Sequence, residues 1–132
     1  MTTTYLFDTS VLIPYLRKDA TIQQRIKGAG VAYVSTIAIG ELLLGARLSA
    51  QPQQSMADIR SLAIILTALV ADLITAEEYA DIRADLRTRG LMIPDNDIWI
   101  AATARQYSLT LATRDAHFQR VQGLAVEQWR YN

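Results

Sequence analysis

The chain has 132 residues, enough to bury a hydrophobic core, and its 51% hydrophobic and 20% charged residues exclude a disordered chain. Its 13 basic residues cancel its 13 acidic residues, so the net charge does not indicate a nucleic-acid-binding protein. The sequence contains no cysteine, which excludes disulfide bonds and thiolate metal sites.

The first half of the chain predicts short strands that alternate with helices. Asp8 directly follows an apolar run of strand formers, at the position of a helix cap. Ser35 or Thr36 can cap a later helix, and Pro52 starts another. The predicted elements are strands over residues 5–7 and 31–34, and helices over residues 11–17, 21–27, 37–48 and 52–66.

The second half continues the alternation. Thr75 and Glu78 form a T-x-x-E pair, which predicts a capping box, and Gly90 ends the helix that follows. A further helix begins around residues 95–97, where one of the polar side chains should cap it, and continues to residue 107. Strands are predicted over residues 109–113 and 124–127. Strands alternating with helices indicate an α/β fold with a parallel sheet that is covered on both faces.

Two aspartates follow predicted strands. Asp8 follows the first strand directly, and Asp115 follows the strand over residues 109–113 by two positions. Taken singly, each is typical of a cap or a turn. In an open parallel sheet, however, ligands bind beyond the carboxyl ends of the strands, so both side chains would lie at the ligand-binding edge.

Glu41 lies on the apolar face of its predicted helix. Its neighbours one helical turn away are Ile37, Ala38, Leu44 and Gly45. A buried carboxylate is costly unless its charge is compensated or it takes up a proton. Glu41 therefore predicts either a salt bridge to one of the arginines or a functional acid.

Asp95, Asn96 and Asp97 crowd one helix start, where a single cap would suffice, so a second acid is available for chemistry. Carboxylates that converge on one crevice repel each other unless a hard cation such as Mg²⁺ or Mn²⁺ neutralises them. Such a site can activate water for attack on a phosphodiester.

Four blocks carry a family resemblance: DTSVLI, STIAIGELLLGA, PDNDIWIAATA and LATRDAHF. In this order, over residues 8–118, they resemble the PIN-domain proteins, specifically the VapC-type toxins of bacterial toxin–antitoxin pairs. The resemblance implies a three-layer α/β/α sandwich with a central, mainly parallel sheet, and a single PIN domain over residues 1–132.

The resemblance also implies roles for particular residues. By position, the acidic quartet of the family, which is both catalytic and metal-binding, falls on Asp8, Glu41, Asp97 and Asp115. Matching hydroxyl residues are Thr9, Ser10 and Thr113. Asp95 has no counterpart in the family pattern and is expected to be a cap or a secondary acid. Arg114 is expected either to bind RNA phosphate or to pair with a neighbouring acid. His117, the only histidine, is expected to be a packed or partly exposed turn residue.

The implied function is a Mg²⁺- or Mn²⁺-dependent endoribonuclease, a toxin that hydrolyses RNA phosphodiester bonds with a metal-activated water. The implied partners are an RNA substrate, a VapB-type antitoxin and a second copy of the chain, which would pack against the helices around residues 56–66. The alternative is a non-catalytic PIN-like module that binds RNA or protein. Neither a signal-peptide pattern nor an apolar run of about 20 residues is present, so we expect a cytoplasmic protein.

Overall fold

A single parallel sheet organises the fold. The computed structural model describes residues 2–130. Within them, five strands pair in the order β3-β2-β1-β4-β5, and each pair is parallel. The strands are β1 (Tyr5–Phe7), β2 (Ala32–Ser35), β3 (Thr67–Leu69), β4 (Thr110–Thr113) and β5 (Val126–Gln128).

Helices cover both faces of this sheet, which confirms the predicted three-layer α/β/α sandwich. They are α1 (Thr9–Leu16), α2 (Ala20–Gly28), α3 (Thr36–Arg47), α4 (Pro52–Ile65), α5 (Leu73–Arg89) and α6 (Asp95–Gln106). A short 3-10 helix, Ala116–Arg120, separates β4 from β5. Within residues 2–130, none of the helices has the length and apolar character that a membrane crossing requires.

The central strands are buried on both faces. Leu6 and Phe7 are consecutive, so their side chains point to opposite faces of the sheet, and both are fully buried. In the register, Phe7 pairs with Ala112 of β4. The backbone N–H of Asp8 continues this pairing by donating to the carbonyl of Ala112 at 3.1 Å. The ends of β1 and β4 therefore lie side by side, and the residues that follow them meet at one edge.

Two of the predicted helix ends are confirmed. The Ser35 hydroxyl caps α3 by accepting from the backbone N–H of Ala38 at 3.1 Å. Gly90 ends α5 in the left-handed region, at φ 68°, where a residue without a Cβ is favoured.

The capping box of α5 was predicted at the wrong residues. Asp72 is the N-cap, and its carboxylate accepts from the backbone N–H of Thr75 at 3.1 Å. The Thr75 hydroxyl in turn accepts from the N–H of Asp72 at 3.0 Å. Thr75 is thus the inner partner of a box that begins three residues earlier, because the short Asp72 side chain reaches the orphan amide first. Glu78 instead pairs with Arg105 of α6.

The start of α6 also differs from the prediction. Pro94 occupies the N-cap position, and its carbonyl accepts from the N–H groups of Asp97 and Ile98 at 3.0 and 3.2 Å. No side chain caps this helix in the described part of the chain, so the expectation that one of residues 95–97 would do so was wrong. The fixed φ of proline sets the turn without a cap, which leaves the acids for other contacts.

Strand β3 was not predicted, because the apolar pattern of α4 runs into it without a glycine or proline to mark the boundary. The predicted apolar face of α4 is mostly internal, since Ile59, Leu62 and Leu66 are buried in the core. The exposed apolar side chains of this region are Ile64, Ile65, Val70, Leu73 and Ile74.

Candidate active site

Asp8 stands at the end of β1 and is the most buried acid of the site, with 1% of its surface exposed. Its Oδ1 accepts from the backbone N–H of Thr9 at 2.8 Å and thereby caps α1. Its Oδ2 accepts from the hydroxyls of Ser10 and Thr113, both at 2.7 Å. These three short hydrogen bonds, with a longer one from the Thr9 hydroxyl to Oδ1 at 3.4 Å, fix the position of this carboxylate.

The same two hydroxyls hold the loop after β4. Ser10 Oγ accepts from the backbone N–H of Arg114 at 2.8 Å, and Thr113 Oγ1 accepts from the N–H of Asp115 at 3.0 Å. An ionised carboxylate can only accept, so each hydroxyl donates its single proton to Asp8 and uses a lone pair to accept from the backbone amide. The position of Asp115 is therefore coupled to that of Asp8 through hydrogen bonds.

Asp97 lies in the first turn of α6, with 14% of its side chain exposed. Burial raises its pKa, and the charge of Asp8 raises it further, while His117 opposes the shift. Asp115 contributes to the increase as well. The negative charges of Asp8 and Asp115 thus both act on the carboxylate of Asp97.

Glu41 approaches the same cluster from α3. Its pKa is raised mainly by burial and then by the charges of Asp97 and Asp8, while a hydrogen bond from Asn96 lowers it. Its Oε1 is buried and has no hydrogen-bond partner among residues 2–130. No arginine of that range forms a salt bridge with Glu41, so the predicted pairing is not observed. An acid in this position retains an unsatisfied oxygen beside two other carboxylates.

His117 belongs to the cluster, which the sequence did not predict. It is partly exposed in the 3-10 helix after β4, as expected of a turn residue, but its Nε2 lies 2.8 Å from Oδ2 of Asp97. One potential ligand atom each from Asp97, Asp115 and His117 lie within 4.8 Å of one another. The available signal was its spacing of two residues from Asp115 in a single tight turn.

Asp95 is not part of the cluster. Its carboxylate accepts from the Tyr79 hydroxyl and, at 2.6 Å, from Arg83, in an ion pair about half exposed to solvent. Neighbouring Trp99 stacks on Tyr79 with 4.1 Å between ring centroids. Asp95 lies two residues before Asp97 on the same helix, and side chains at that spacing do not share a face. The Asp95 side chain therefore points away from the sheet edge.

Two grooves border α1, and Ile13 and Arg17 line both of them. The first, of about 750 Å³, is lined by Ser10, Ile13, Pro14, Arg17, Asp19, Arg114 and Asp115. The second, of about 320 Å³, contains Glu41 and is mostly apolar. The Arg114 side chain is held beside the first groove, because its Nε donates to the carbonyl of Trp129 at 3.1 Å. Cationic and acidic groups therefore border the same surface.

Comparison with known proteins gives a consistent result. The chain matches the PIN domain family over residues 5–124. It is 35% identical over 128 residues to Ribonuclease VapC2 of Haemophilus influenzae, covering 95% of this chain and 97% of that protein. It is 30% identical, over the same shares of each chain, to the tRNA(fMet)-specific endonuclease VapC of Shigella flexneri. The crystal structure of DNA-bound VapBC from Salmonella typhimurium is similar with a TM-score of 0.91 and 27% identity, covering 97% of this chain and 99% of that chain.

Proposed function

The chain belongs to the VapC-type branch of the PIN-domain family, and we propose that it is a Mg²⁺- or Mn²⁺-dependent endoribonuclease, the toxin of a toxin–antitoxin pair. The observation that carries this proposal is the unpaired, buried Oε1 of Glu41 beside Asp8 and Asp97. A carboxylate oxygen buried without a donor is costly, and a hard cation would satisfy it. Relatives named as ribonucleases support the same reading.

The donor set fits such a cation. All four acids supply oxygen ligands, which Mg²⁺ and Mn²⁺ prefer, and their mutual repulsion would be relieved on binding. The residues that would hold the ion are Asp8, Glu41, Asp97 and Asp115. When bound, the ion would activate a water molecule and stabilise the charge that develops on the phosphodiester.

The remaining residues of the site orient the acids and the substrate. Ser10 and Thr113 fix the carboxylate of Asp8 through their hydroxyl protons. Arg17 and Arg114 border the groove beside the acids and would bind RNA phosphates, for which guanidinium groups are suited. The substrate would thus lie along α1, with one phosphate at the acidic cluster.

Two protein partners follow from the same proposal. A VapB-type antitoxin would lie over the acids and the neighbouring apolar groove and exclude RNA. A second copy of the chain would cover the exposed apolar side chains that follow the core-facing part of α4, namely Ile64, Ile65, Val70, Leu73 and Ile74. We further propose that residues 1–132 act as one PIN domain, and that the protein works in the cytoplasm, where RNA and antitoxin are present.

The decisive experiment is cleavage of a structured RNA by the purified chain in chelator, in Mg²⁺ and in Mn²⁺. We expect cleavage only with metal, and loss of at least 100-fold in rate for Asp8→Asn. Asp95→Asn is the matched control, because it removes an acid near the start of α6 that lies in a surface ion pair. The non-catalytic alternative predicts that wild type and Asp8→Asn bind RNA equally and that neither cleaves it.

A further inference from the structure

The histidine beside the acids has an unusual environment. His117 Nε2 is buried and lies 2.8 Å from Oδ2 of Asp97. Despite this distance, Nε2 makes no well-aligned hydrogen bond with Asp97 or with any other residue of the range 2–130, although its proximity opposes the rise in the pKa of Asp97. The ring is held by its neighbour Phe118, at 4.7 Å between centroids.

The spacing of the donors matches that of ligands around one ion. In an octahedral site with bonds of about 2.1 Å, adjacent donor atoms are about 3 Å apart and opposite ones about 4.2 Å. Nε2 and the Asp97 oxygen are 2.8 Å apart, and the donor atoms of Asp97, Asp115 and His117 all fall within 4.8 Å of one another. These atoms come from two separate segments of the chain, the start of α6 and the turn after β4.

We propose that His117 is a direct metal ligand, so that Asp97, Asp115 and His117 form a mixed nitrogen and oxygen site that prefers Mn²⁺ to Mg²⁺. This inference rests on the proposed metal dependence and adds a nitrogen donor to an otherwise carboxylate site. Imidazole suits transition metals, whereas Mg²⁺ is best served by oxygen ligands and water. The neutral ring coordinates through Nε2, the atom that faces Asp97.

An ion-pair role is the competing explanation for the same contact. A protonated His117 could simply neutralise Asp97 and hold it in place. Attraction between the two charges needs only proximity, and His117 does oppose the rise in the pKa of Asp97. A well-formed hydrogen bond also needs an aligned N–H, which this contact lacks, so Nε2 keeps the capacity to act as a ligand. The two roles differ in one measurable respect, namely whether the nitrogen is bonded to the metal.

The chain offers a direct test because it contains a single histidine. Untagged protein is loaded with one equivalent of Mn²⁺, and electron spin echo envelope modulation is recorded for directly coupled ¹⁴N. An imidazole nitrogen signal can come only from His117. We expect the signal in the wild type and in Gln119→Ala, an exposed change in the same 3-10 helix, and its loss in His117→Ala and His117→Gln.

Affinity provides the second readout. Isothermal titration with Mn²⁺ and with Mg²⁺ should show a loss of about 10-fold or more in Mn²⁺ affinity for His117→Ala, and a loss below about threefold for Mg²⁺. His117→Gln keeps most of the side-chain volume, so it tests the ligand if the alanine variant is poorly folded. Mn²⁺ bound without a ¹⁴N signal would overturn the inference and leave the proposed nuclease intact. No Mn²⁺ binding at all, with chelator-resistant cleavage, would overturn both.

Discussion

Replacing Asp97 with asparagine should stabilise the metal-free protein while abolishing its response to metal. Without a cation, burial makes the charge of Asp97 costly and Asp8 and Asp115 repel it, and these effects together outweigh the attraction of His117, so the pKa of Asp97 is raised. Asparagine has nearly the same shape and removes that charge. The backbone N–H of Asp97 donates to the carbonyl of Pro94, and the substitution does not change this hydrogen bond. The start of α6 is therefore preserved in the variant.

The size of the effect follows from the separation of the charges. The donor atoms of Asp97 and Asp115 lie within 4.8 Å. Coulomb's law gives about 1 kcal/mol for two like charges at that distance in water and about 3.5 kcal/mol at an effective dielectric constant of about 20. Asp115 is exposed, which favours the lower part of the range, so we expect about 1–2 kcal/mol. At about 4 °C per kcal/mol for a chain of this length, Tm should rise by about 4–8 °C.

The assay is thermal unfolding of wild type and Asp97→Asn in chelator and in excess Mn²⁺ at pH 7.5. Wild type should gain stability with Mn²⁺ as the ratio of free metal to Kd grows, whereas the variant should not. Asp95→Asn is the control: it breaks a half-exposed pair with Arg83, so it should lose no more than about 1 kcal/mol and keep the metal response. A lower Tm of Asp97→Asn in chelator would refute the reasoning, because it would mean that the carboxylate stabilises the metal-free fold.

Three further predictions concern pH, packing and chemistry. In chelator, urea denaturation should show that stability increases as the pH is lowered from neutral toward the ordinary carboxyl range, because burial and neighbouring carboxylates raise the pKa values of Asp97 and Glu41 in the fold. Their stabilising contribution is complete below the unfolded pKa and is lost as the pH rises through the folded value. A decrease over this range would contradict it. Thr113→Val should cost about 1–3 kcal/mol, since it removes one of the two hydroxyl donors to Oδ2 of the buried Asp8 and the acceptor of the partly buried Asp115 amide. Thr110→Val on the same strand should cost less than about 1 kcal/mol, and equal losses would argue against the network. Cleaved RNA should carry 5′-phosphate and 3′-hydroxyl ends by end-labelling, and 2′,3′-cyclic phosphate ends would exclude water as the nucleophile.

The strand ends were the most predictable part of the molecule. Apolar runs of strand formers followed by polar residues marked β1, β2 and β4, and parallel strands place their carboxyl ends at one edge. The sequence alone therefore predicts that Asp8 and Asp115 lie at that edge. Strand β3 was missed because its residues are partly exposed and continue an apolar helical pattern, so no change of period marks it.

The contacts of side chains within the site were less predictable. Asp95 and Asp97 look equivalent in sequence, yet residues two apart on a helix point about 200° apart, so only one can face the acids. Which one does so depends on how α6 is rotated against the sheet. His117 depends similarly on a tight turn after β4, whose conformation depends on the hydrogen bonds of Ser10 and Thr113.

Asp8 shows how one residue can be both a cap and a site acid. Its Oδ2 uses both lone pairs for the hydroxyls of Ser10 and Thr113, and its Oδ1 uses one for the N–H of Thr9. The other lone pair of Oδ1 meets only a long contact from the Thr9 hydroxyl, at 3.4 Å, which a cation would replace. An asparagine here would have to turn its NH₂ group toward either the two hydroxyls or the Thr9 amide, so it would lose structural bonds along with the charge. Asp97 differs in this respect, because its side chain is not a helix cap. The asparagine variant of Asp8 should therefore be less stable than that of Asp97, while both variants should lose metal binding.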